Sequence, residues 1–133
     1  MLSNCKFHHI GVAVFDLDVT AAEYIAAGYV KSETIYDPIQ NVYICFLNKE
    51  GMPQVELLAP KGETSPVNKT LEKMGVAPYH CCYEVEDMDA AIAELRKQRY
   101  IMVSKPETAV AIDSKKVCFL FNKNVGLIEI VEK

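Results

Sequence analysis

The sequence predicts an α+β fold in which two βαβββ modules form an open, curved, eight-stranded mixed sheet. Two observations carry this prediction. The chain aligns with itself, at an offset of 71 residues where His9 falls on His80 and at 73 where Glu56 falls on Glu129. Each half also repeats one order of hydrophobic patterns, and an internal repeat of this kind indicates a duplicated structural unit.

The first module is expected to span residues 6–59. It opens with an alternating apolar strand over 7–14. Asp16 then caps a helix that ends at Gly28, a residue that tolerates a positive φ. Three shorter β segments complete this module, at 30–36, 41–48 and 53–59.

The second module is expected to span residues 79–131 and to repeat the first. A strand over 79–85 leads into a helix capped by Asp87. Its three further β segments are predicted at 100–104, 115–121 and 126–131. Residues 60–78 form the linker, in which Ser65-Pro66 predicts the start of a short helix. The whole chain, 1–133, is predicted to be a single domain.

Composition excludes several classes of function. The formal net charge is −4, with acids and bases mixed along the chain, so there is no basic stripe to bind nucleic acid. No apolar stretch reaches membrane-spanning length and the N-terminus lacks a signal-peptide pattern, so we expect no membrane contact and a cytoplasmic location. Five cysteines without CxxC spacing are interpreted as small buried residues of a reducing compartment.

Strand alternation places the histidines on defined faces. His9 shares a face with the small residues Gly11 and Ala13, whereas His8 falls on the bulky face that packs against the helix. His80 takes the corresponding open face of the second module. His8 is therefore interpreted as a core residue, and His9 and His80 as candidates for chemistry.

The two glutamates interrupt apolar strands. A buried carboxylate costs several kcal/mol unless it is paired or binds a metal. Taken singly, a strand glutamate is more often on a solvated edge, and a strand histidine is more often a hydrogen-bonded core residue. Their matched placement in both modules instead favours a metal site inside the curved sheet. Its four ligands would be His9, Glu56, His80 and Glu129, which leave two positions of a six-coordinate divalent ion for water or substrate.

These residues and four motifs resemble the vicinal oxygen chelate superfamily, which comprises glyoxalases, bleomycin resistance proteins and dioxygenases. The motifs are "HHIGVAV", "VELLAPKGETSPVNKTLEK", "YHCCYEVEDMDAAIAEL" and "VGLIEIVE". Within it, the chain resembles methylmalonyl-CoA epimerases and, through "AIDSKKVCFLF" and "LIEIVEK", compact clostridial-type proteins classed as glyoxalase I. In both families the metal ligands match His9, Glu56, His80 and Glu129.

Three departures distinguish the chain from these families. Epimerases carry a second catalytic glutamate before a glutamine, and the matching position here is Ile39. Their glycine-rich loop is replaced by "AVAIDSKK" at 109–116. Many glyoxalase I enzymes have an arginine four residues after the first ligand histidine, where this chain has Ala13. Because Ile39 cannot transfer a proton, the sequence favours glyoxalase I over the epimerase.

The leading functional interpretation is therefore a glyoxalase I-type lyase that isomerises the hemithioacetal of a 2-oxoaldehyde and a thiol to a 2-hydroxyacyl thioester. Glu129 would be the general base, and Glu129 or Glu56 would return the proton. The alternatives are an epimerase of CoA thioesters, with Glu56 and Glu129 as its two bases, and a non-catalytic protein that binds small molecules. Glutathione transfer and iron-dependent ring cleavage share the scaffold.

The cofactor and partner expectations follow from this interpretation. One divalent ion per site is expected, with nickel or cobalt favoured over zinc, manganese or iron. The thiol carrier is left open between glutathione, another small thiol and CoA. The resemblance also implies a homodimer, and exposed strand edges commonly lead to pairing between subunits.

Overall fold

The computed structural model describes all 133 residues, Met1 to Lys133, which divide into two compact units. We call His9–Tyr79 the first unit, and Met1–His8 together with His80–Lys133 the second unit. The first unit thus contains most of the first predicted module and the linker. The N-terminal residues Met1–His8 belong with the second module.

The first unit forms a mixed sheet. Strand β1 covers Lys6–Ala13, and its residues from His9 onward lie in this unit. The other elements are α1 (Leu17–Ala26), β2 (Val30–Lys31), β3 (Ile35–Asp37), β4 (Val42–Asn48), β5 (Val55–Pro60) and α2 (Val67–Met74). The strand order is β2-β4-β5-β1, with β3 also paired to β4. The β1–β5 pair is parallel and the remaining pairs are antiparallel.

The second unit repeats this arrangement. Strand β6 covers Ala77–Val85 and lies in this unit from His80 onward. The other elements are α3 (Met88–Lys97), β7 (Ile101–Met102), β8 (Glu107–Ala109), β9 (Lys115–Asn122) and β10 (Gly126–Glu132). The order is β6-β10-β9-β7, with β8 paired to β9, and β6–β10 is the parallel pair. The predicted α+β class, with mixed strand pairing in each module, is confirmed.

Each helix covers one face of its own sheet. In the first unit the core is formed by alternate strand residues, including Val12, Cys45 and Leu57, that pack with Leu17 and Ala21 of α1. In the second unit, Leu120 and Ile130 pack in the same way with residues of α3. Because strand side chains alternate, the residues between these core positions point to the opposite face of each sheet. That opposite face carries the candidate site residues.

Both long helices begin where the aspartates predict. Asp16 Oδ1 accepts hydrogen bonds from Asp18 N at 3.0 Å and Val19 N at 3.1 Å. Asp87 Oδ1 accepts one from Ala90 N at 2.9 Å. Gly28 follows α1 with a φ of +94°, as expected for a residue that ends a helix in the left-handed region.

The second predicted strand of each module is wrong in extent, so the structure contains ten strands where the sequence indicated eight. The segment 30–36 is split into β2 and β3, and the segment 100–104 is reduced to β7, with the unpredicted β8 following it. A serine causes the interruption in both copies. The backbone N–H of Phe46 donates to Ser32 Oγ at 2.9 Å, and that of Phe119 donates to Ser104 Oγ at 3.3 Å. A side-chain oxygen thus takes the place of a strand carbonyl, and regular pairing stops there.

The N-terminal segment packs on the core of the second unit. Leu2 and Cys5 lie against its hydrophobic cluster, and the ring of Phe7 meets that of Tyr83 edge to face at 6.1 Å. The Met1 amino group donates to the side chain of Gln98, whose Nε2 donates back to Met1 O at 3.1 Å. These contacts place Met1–His8 with the second module. None of the three helices is long and apolar enough to cross a bilayer.

Candidate metal centre

The first unit buries a histidine and a glutamate side by side. Strands β1 and β5 run parallel with Gly11 opposite Glu56, so His9, Gly11 and Glu56 share the face turned away from α1. His9 Nε2 lies 3.4 Å from Glu56 Oε1, and both side chains are almost fully buried. Gly11, directly opposite Glu56, places no side chain on this face.

The second unit contains the matching pair. Strands β6 and β10 are parallel with Cys82 opposite Glu129, and alternation puts His80 and Glu129 on the face away from α3. His80 Nε2 lies 3.1 Å from Glu129 Oε2, again with both side chains buried. The sequence-predicted site residues therefore form two histidine–glutamate pairs, one in each unit.

A phenylalanine flanks each pair. Phe46 lies opposite Glu56 in the β4–β5 register, and its ring meets that of His9 edge to face at 5.5 Å. Phe119 lies opposite Glu129 in the β9–β10 register, and its ring meets that of His80 at 5.3 Å. These contacts hold the imidazoles and shield the carboxylates from water. Sequence reasoning did not assign the two rings a role, although the repeated Cys-Phe-Leu at 45–47 and 118–120 marks their positions.

The donor types and their spacing fit a divalent metal ion. Each of the four residues offers one nitrogen or oxygen ligand atom, and each is buried. Ligands that lie about 2.1 Å from a common ion are separated by about 3.0 Å at a right angle and about 3.4 Å at a tetrahedral angle. The 3.1 and 3.4 Å separations within the pairs match these values. Each pair is therefore suited to provide two ligands of one ion.

The Ile39 departure falls in a turn rather than in a strand. Ile39 is 55% exposed in the turn between β3 and β4, where its N–H donates to Asp37 Oδ1 at 2.8 Å. It does not lie on the sheet face that carries His9 and Glu56. The β4 residues on that face are Val42, Ile44 and Phe46. At position 39 the first unit therefore offers no side chain that could transfer a proton, as the sequence indicated.

The segment 109–116, which replaces the glycine-rich loop, contains two residues in the left-handed backbone region that glycine favours. Asp113 and Ser114 have φ values of +50° and +57°, and Ser114 N donates to Ala109 O at 3.0 Å. Aspartate tolerates this left-handed region better than most residues, since its side chain can bond locally. The missing glycines at 109–116 thus do not imply a different course of the chain. Ala13, the other departure, is fully buried and lies opposite Leu58.

Three of the five cysteines, Cys45, Cys82 and Cys118, are buried as the sequence predicted, whereas Cys5 and Cys81 are only partly buried. Cys45 and Cys118 belong to the helix-facing clusters of the first and second units. Burial raises the pKa of each thiol to about 11. Both thiols therefore stay protonated near neutral pH, which supports their interpretation as small apolar residues rather than nucleophiles or ligands.

Comparison with known proteins relates the chain to a superfamily and to one activity within it. Residues 8–119 match the model of the glyoxalase/bleomycin resistance protein/dioxygenase superfamily. The human mitochondrial methylmalonyl-CoA epimerase is 33% identical over 123 residues, which cover 91% of this chain and 69% of that protein. An ethylmalonyl-CoA/methylmalonyl-CoA epimerase of Cereibacter sphaeroides is 32% identical over 121 residues, 90% of each chain.

Solved structures that share the fold of this chain also include methylmalonyl-CoA epimerases. The methylmalonyl-CoA epimerase of Mycobacterium tuberculosis superposes with a TM-score of 0.86 at 29% identity, covering 99% of this chain and 92% of that one. A methylmalonyl-CoA epimerase in complex with methylmalonyl-CoA and NH4+ gives a TM-score of 0.84 at 28% identity, covering 97% and 94%. The fold, the matched residues and the duplicated histidine–glutamate pairs lead to one assignment: this chain belongs to the glyoxalase/bleomycin resistance protein/dioxygenase superfamily.

Proposed function

We propose that the protein is an epimerase of a carboxylated, branched acyl-CoA of the methylmalonyl-CoA type. The relatives support this proposal, since those at 32–33% identity are named as methylmalonyl-CoA epimerases. The observation in the chain itself that carries it is the pair of buried glutamates, Glu56 and Glu129, each beside a histidine. The comparisons thus favour the epimerase over glyoxalase I, which the sequence alone had ranked first.

We propose further that the two pairs bind one divalent ion, with His9, Glu56, His80 and Glu129 as its ligands. Four buried polar side chains with the spacing of metal ligands support this. Imidazole and carboxylate together suit cobalt, nickel, zinc, manganese or iron, and the donor set does not select among them. When bound, such an ion acts as a Lewis acid that stabilises the negative oxygen of a thioester enolate.

The chain's own residues would perform the proton transfers. Glu129 removes the proton from C2 of the acyl group, and the electrons of the broken C–H bond delocalise onto the thioester carbonyl. Glu56, from the other module, delivers a proton to the opposite face of C2, which inverts its configuration. The rings of Phe46 and Phe119 exclude water from the carboxylates, which strengthens the electrostatic interactions between these groups and the reacting atoms.

The test is hydrogen exchange at C2. Metal-loaded protein is incubated in D2O with one epimer of methylmalonyl-CoA, and deuterium incorporation and inversion are followed by mass spectrometry and circular dichroism. We expect both to occur, and chelator-treated protein to lose them. If metal-loaded protein catalysed no exchange in either epimer, the proposal would be wrong.

Glyoxalase I activity is the second candidate, and one observation favours it. Each unit has one glutamate beside its histidine, and the buried Asp37 of β3 already accepts the backbone N–H groups of Ile39 and Gln40. A lyase that moves a proton between neighbouring carbons needs a single base, so either glutamate alone would suffice, whereas the proposed epimerase needs both. Thioester formation from methylglyoxal with glutathione, another small thiol or CoA, without exchange into methylmalonyl-CoA, would establish the lyase instead.

A further inference from the structure

The second unit contains a cationic cleft outside the histidine–glutamate pair. It encloses about 460 Å³ at the end of α3, beside strands β7 and β9. Its lining consists of Gln98, Arg99, Ile101, Phe121, Asn122, Lys123 and Asn124. Two cations and three side-chain amides thus line a cleft without a carboxylate, in a chain whose net charge is −4. Neither Arg99 nor Lys123 forms an ion pair.

The cleft also has an apolar wall on the face that carries Glu129. Ile101 and Phe121 are direct partners in the β7–β9 pair and are 67% and 42% exposed. Phe121 lies two residues along β9 from Phe119, the partner of Glu129. Strand geometry places the Cα atoms of Phe121 and Glu129 within about 10 Å of each other, with their side chains on one face. A ligand bound near Glu129 can therefore extend into the cleft.

The internal repeat provides a comparison for this region. The residues of the first unit that match Arg99, Asn122 and Lys123 are Gly28, Lys49 and Glu50. Lys49 Nζ donates to Ala27 O at 2.7 Å, and a Cβ added to Gly28 would lie 3.5 Å from Lys49 Cε. The lysine side chain therefore lies across this position of the first unit.

In the second unit, Asn122 stands where the first unit has the longer Lys49, and Lys123 stands where it has the acidic Glu50. Asn122 Nδ2 makes the corresponding bond, to Gln98 O at 3.5 Å, without covering the space beyond. Arg99 has a φ of +66°, so an arginine occupies a left-handed position at which the first unit has the favoured glycine. The second unit therefore has a cationic side chain at a backbone conformation that favours glycine. A second cation, Lys123, lies beside it in the cleft.

We propose that this cleft binds the phosphate-bearing adenosine end of the CoA carrier. Arg99 and Lys123 would contact phosphate oxygens, which pair with guanidinium and ammonium groups in charge-assisted hydrogen bonds. The adenine ring would stack on Phe121 and Ile101, since a base presents an apolar face to such side chains. The pantetheine arm, which is longer than the separation of the cleft from Glu129, would connect the two sites. This inference rests on the proposed function, because it assigns the carrier of that same substrate.

The test measures the binding of carriers rather than turnover. Isothermal titration of metal-loaded protein with CoA and with 4′-phosphopantetheine, which lacks the nucleotide, isolates the contribution of the adenosine end. We expect CoA to bind at least tenfold more tightly, adenosine 3′,5′-bisphosphate to compete with it, and glutathione not to compete. Added salt should reduce the difference, since the attraction to phosphate is electrostatic.

Substitutions assign that difference to the cleft. Arg99→Gly suits the backbone and reproduces the residue of the first copy, so a loss of affinity cannot be attributed to unfolding. We expect Arg99→Gly and Lys123→Gln each to weaken CoA binding about tenfold and to leave 4′-phosphopantetheine binding unchanged. Lys116→Gln is the matched control, because Lys116 is an exposed lysine of the same strand whose side chain points to the face opposite Phe121.

The outcomes separate this inference from the proposed function. Equal affinity for CoA and 4′-phosphopantetheine, or equal losses in Lys116→Gln and Arg99→Gly, would overturn the cleft assignment even if methylmalonyl-CoA is epimerised. Conversely, Arg99-dependent CoA binding without exchange at C2 of methylmalonyl-CoA would leave the cleft established and refute the epimerase.

Discussion

Buried carboxylates are costly, and at the scale of single residues this chain places two of its three, Glu56 and Glu129, beside histidines on the faces of its sheets. A carboxylate without compensation is destabilising by several kcal/mol, so Glu56 and Glu129 require partners. Each has a histidine within 3.4 Å and a phenylalanine directly opposite in the sheet. These two residues pair with both histidines that the sequence placed on open faces. The proposed cation and the proposed proton transfer would each give this arrangement a role.

Glu129→Gln tests the proposed base most directly. Glutamine preserves the volume and one oxygen of the side chain but cannot accept the C2 proton, so we expect the rate of deuterium exchange to fall by about 10²- to 10⁴-fold. The melting temperature should change by only a few degrees. Glu86→Gln, which alters an exposed acid of the same unit, is the control and should exchange normally. An exchange rate within twofold of the unsubstituted protein would remove Glu129 from the mechanism.

Thiol reactivity tests the assignment of Cys45 and Cys118 to the core. Burial raises both pKa values to about 11, so roughly one thiol in a thousand is ionised at pH 8. Native protein treated with a thiol-specific disulfide reagent at pH 8 should leave both residues unmodified, as peptide mass spectrometry would report. Cys5 and Cys81 are partly exposed and should react. Rapid modification of Cys118 in the folded protein would contradict its buried, protonated state.

At the scale of elements, the sequence specifies helices better than short strands. Asp16 and Asp87 predict both helix starts because an aspartate cap acts through bonds to the next few residues. The interruptions at Ser32 and Ser104 could not be predicted. Each depends on a hydrogen bond that a phenylalanine N–H donates to a serine hydroxyl about fifteen residues earlier in the chain, and local patterns do not encode that pairing. Tertiary pairing therefore decides where a short strand ends.

The two helix caps should differ in their contribution to stability. Asp16→Ala removes the acceptor of two backbone N–H groups and should lower the free energy of unfolding by about 1 kcal/mol. Asp87→Ala should cost less, because Glu132 Oε2 also accepts a hydrogen bond at that helix start, from Met88 N at 2.8 Å. Denaturant unfolding of both variants gives the comparison. If Asp87→Ala proved the more destabilising of the two, Glu132 would not be acting as a second cap.

At the scale of the whole molecule, duplication explains how a short chain acquires four candidate metal ligands. Each unit builds one histidine–glutamate pair on its first and last strands, which are parallel neighbours in both copies. The sequence identified all four candidate residues because the repeat aligns them, and the structure buries each histidine beside its glutamate. The sequence ranked glyoxalase I first because Ile39 cannot transfer a proton, whereas the relatives of 32–33% identity are named as methylmalonyl-CoA epimerases. The cleft at Arg99 was also not predictable from the sequence. It exists because the second unit has Asn122 in place of the lysine, Lys49, whose side chain covers the matching position of the first unit. The homodimer stays a prediction.

Metal stoichiometry tests whether the two pairs act as one site. Two separate pairs would bind two ions per chain, whereas the proposed centre binds one. We expect elemental analysis of purified, metal-loaded protein to give one divalent ion per chain. Removal of that ion should lower the melting temperature by several degrees, because a ligand at a hundred times its dissociation constant stabilises the folded state by about 2.7 kcal/mol. His9→Ala and His80→Ala should each reduce the bound ion and this stabilisation together, since each removes a ligand of the same centre. The contrary result would be two ions per chain, of which His9→Ala and His80→Ala each remove only one. Each unit would then bind its own ion, and the two-base mechanism would lose the shared centre on which it depends.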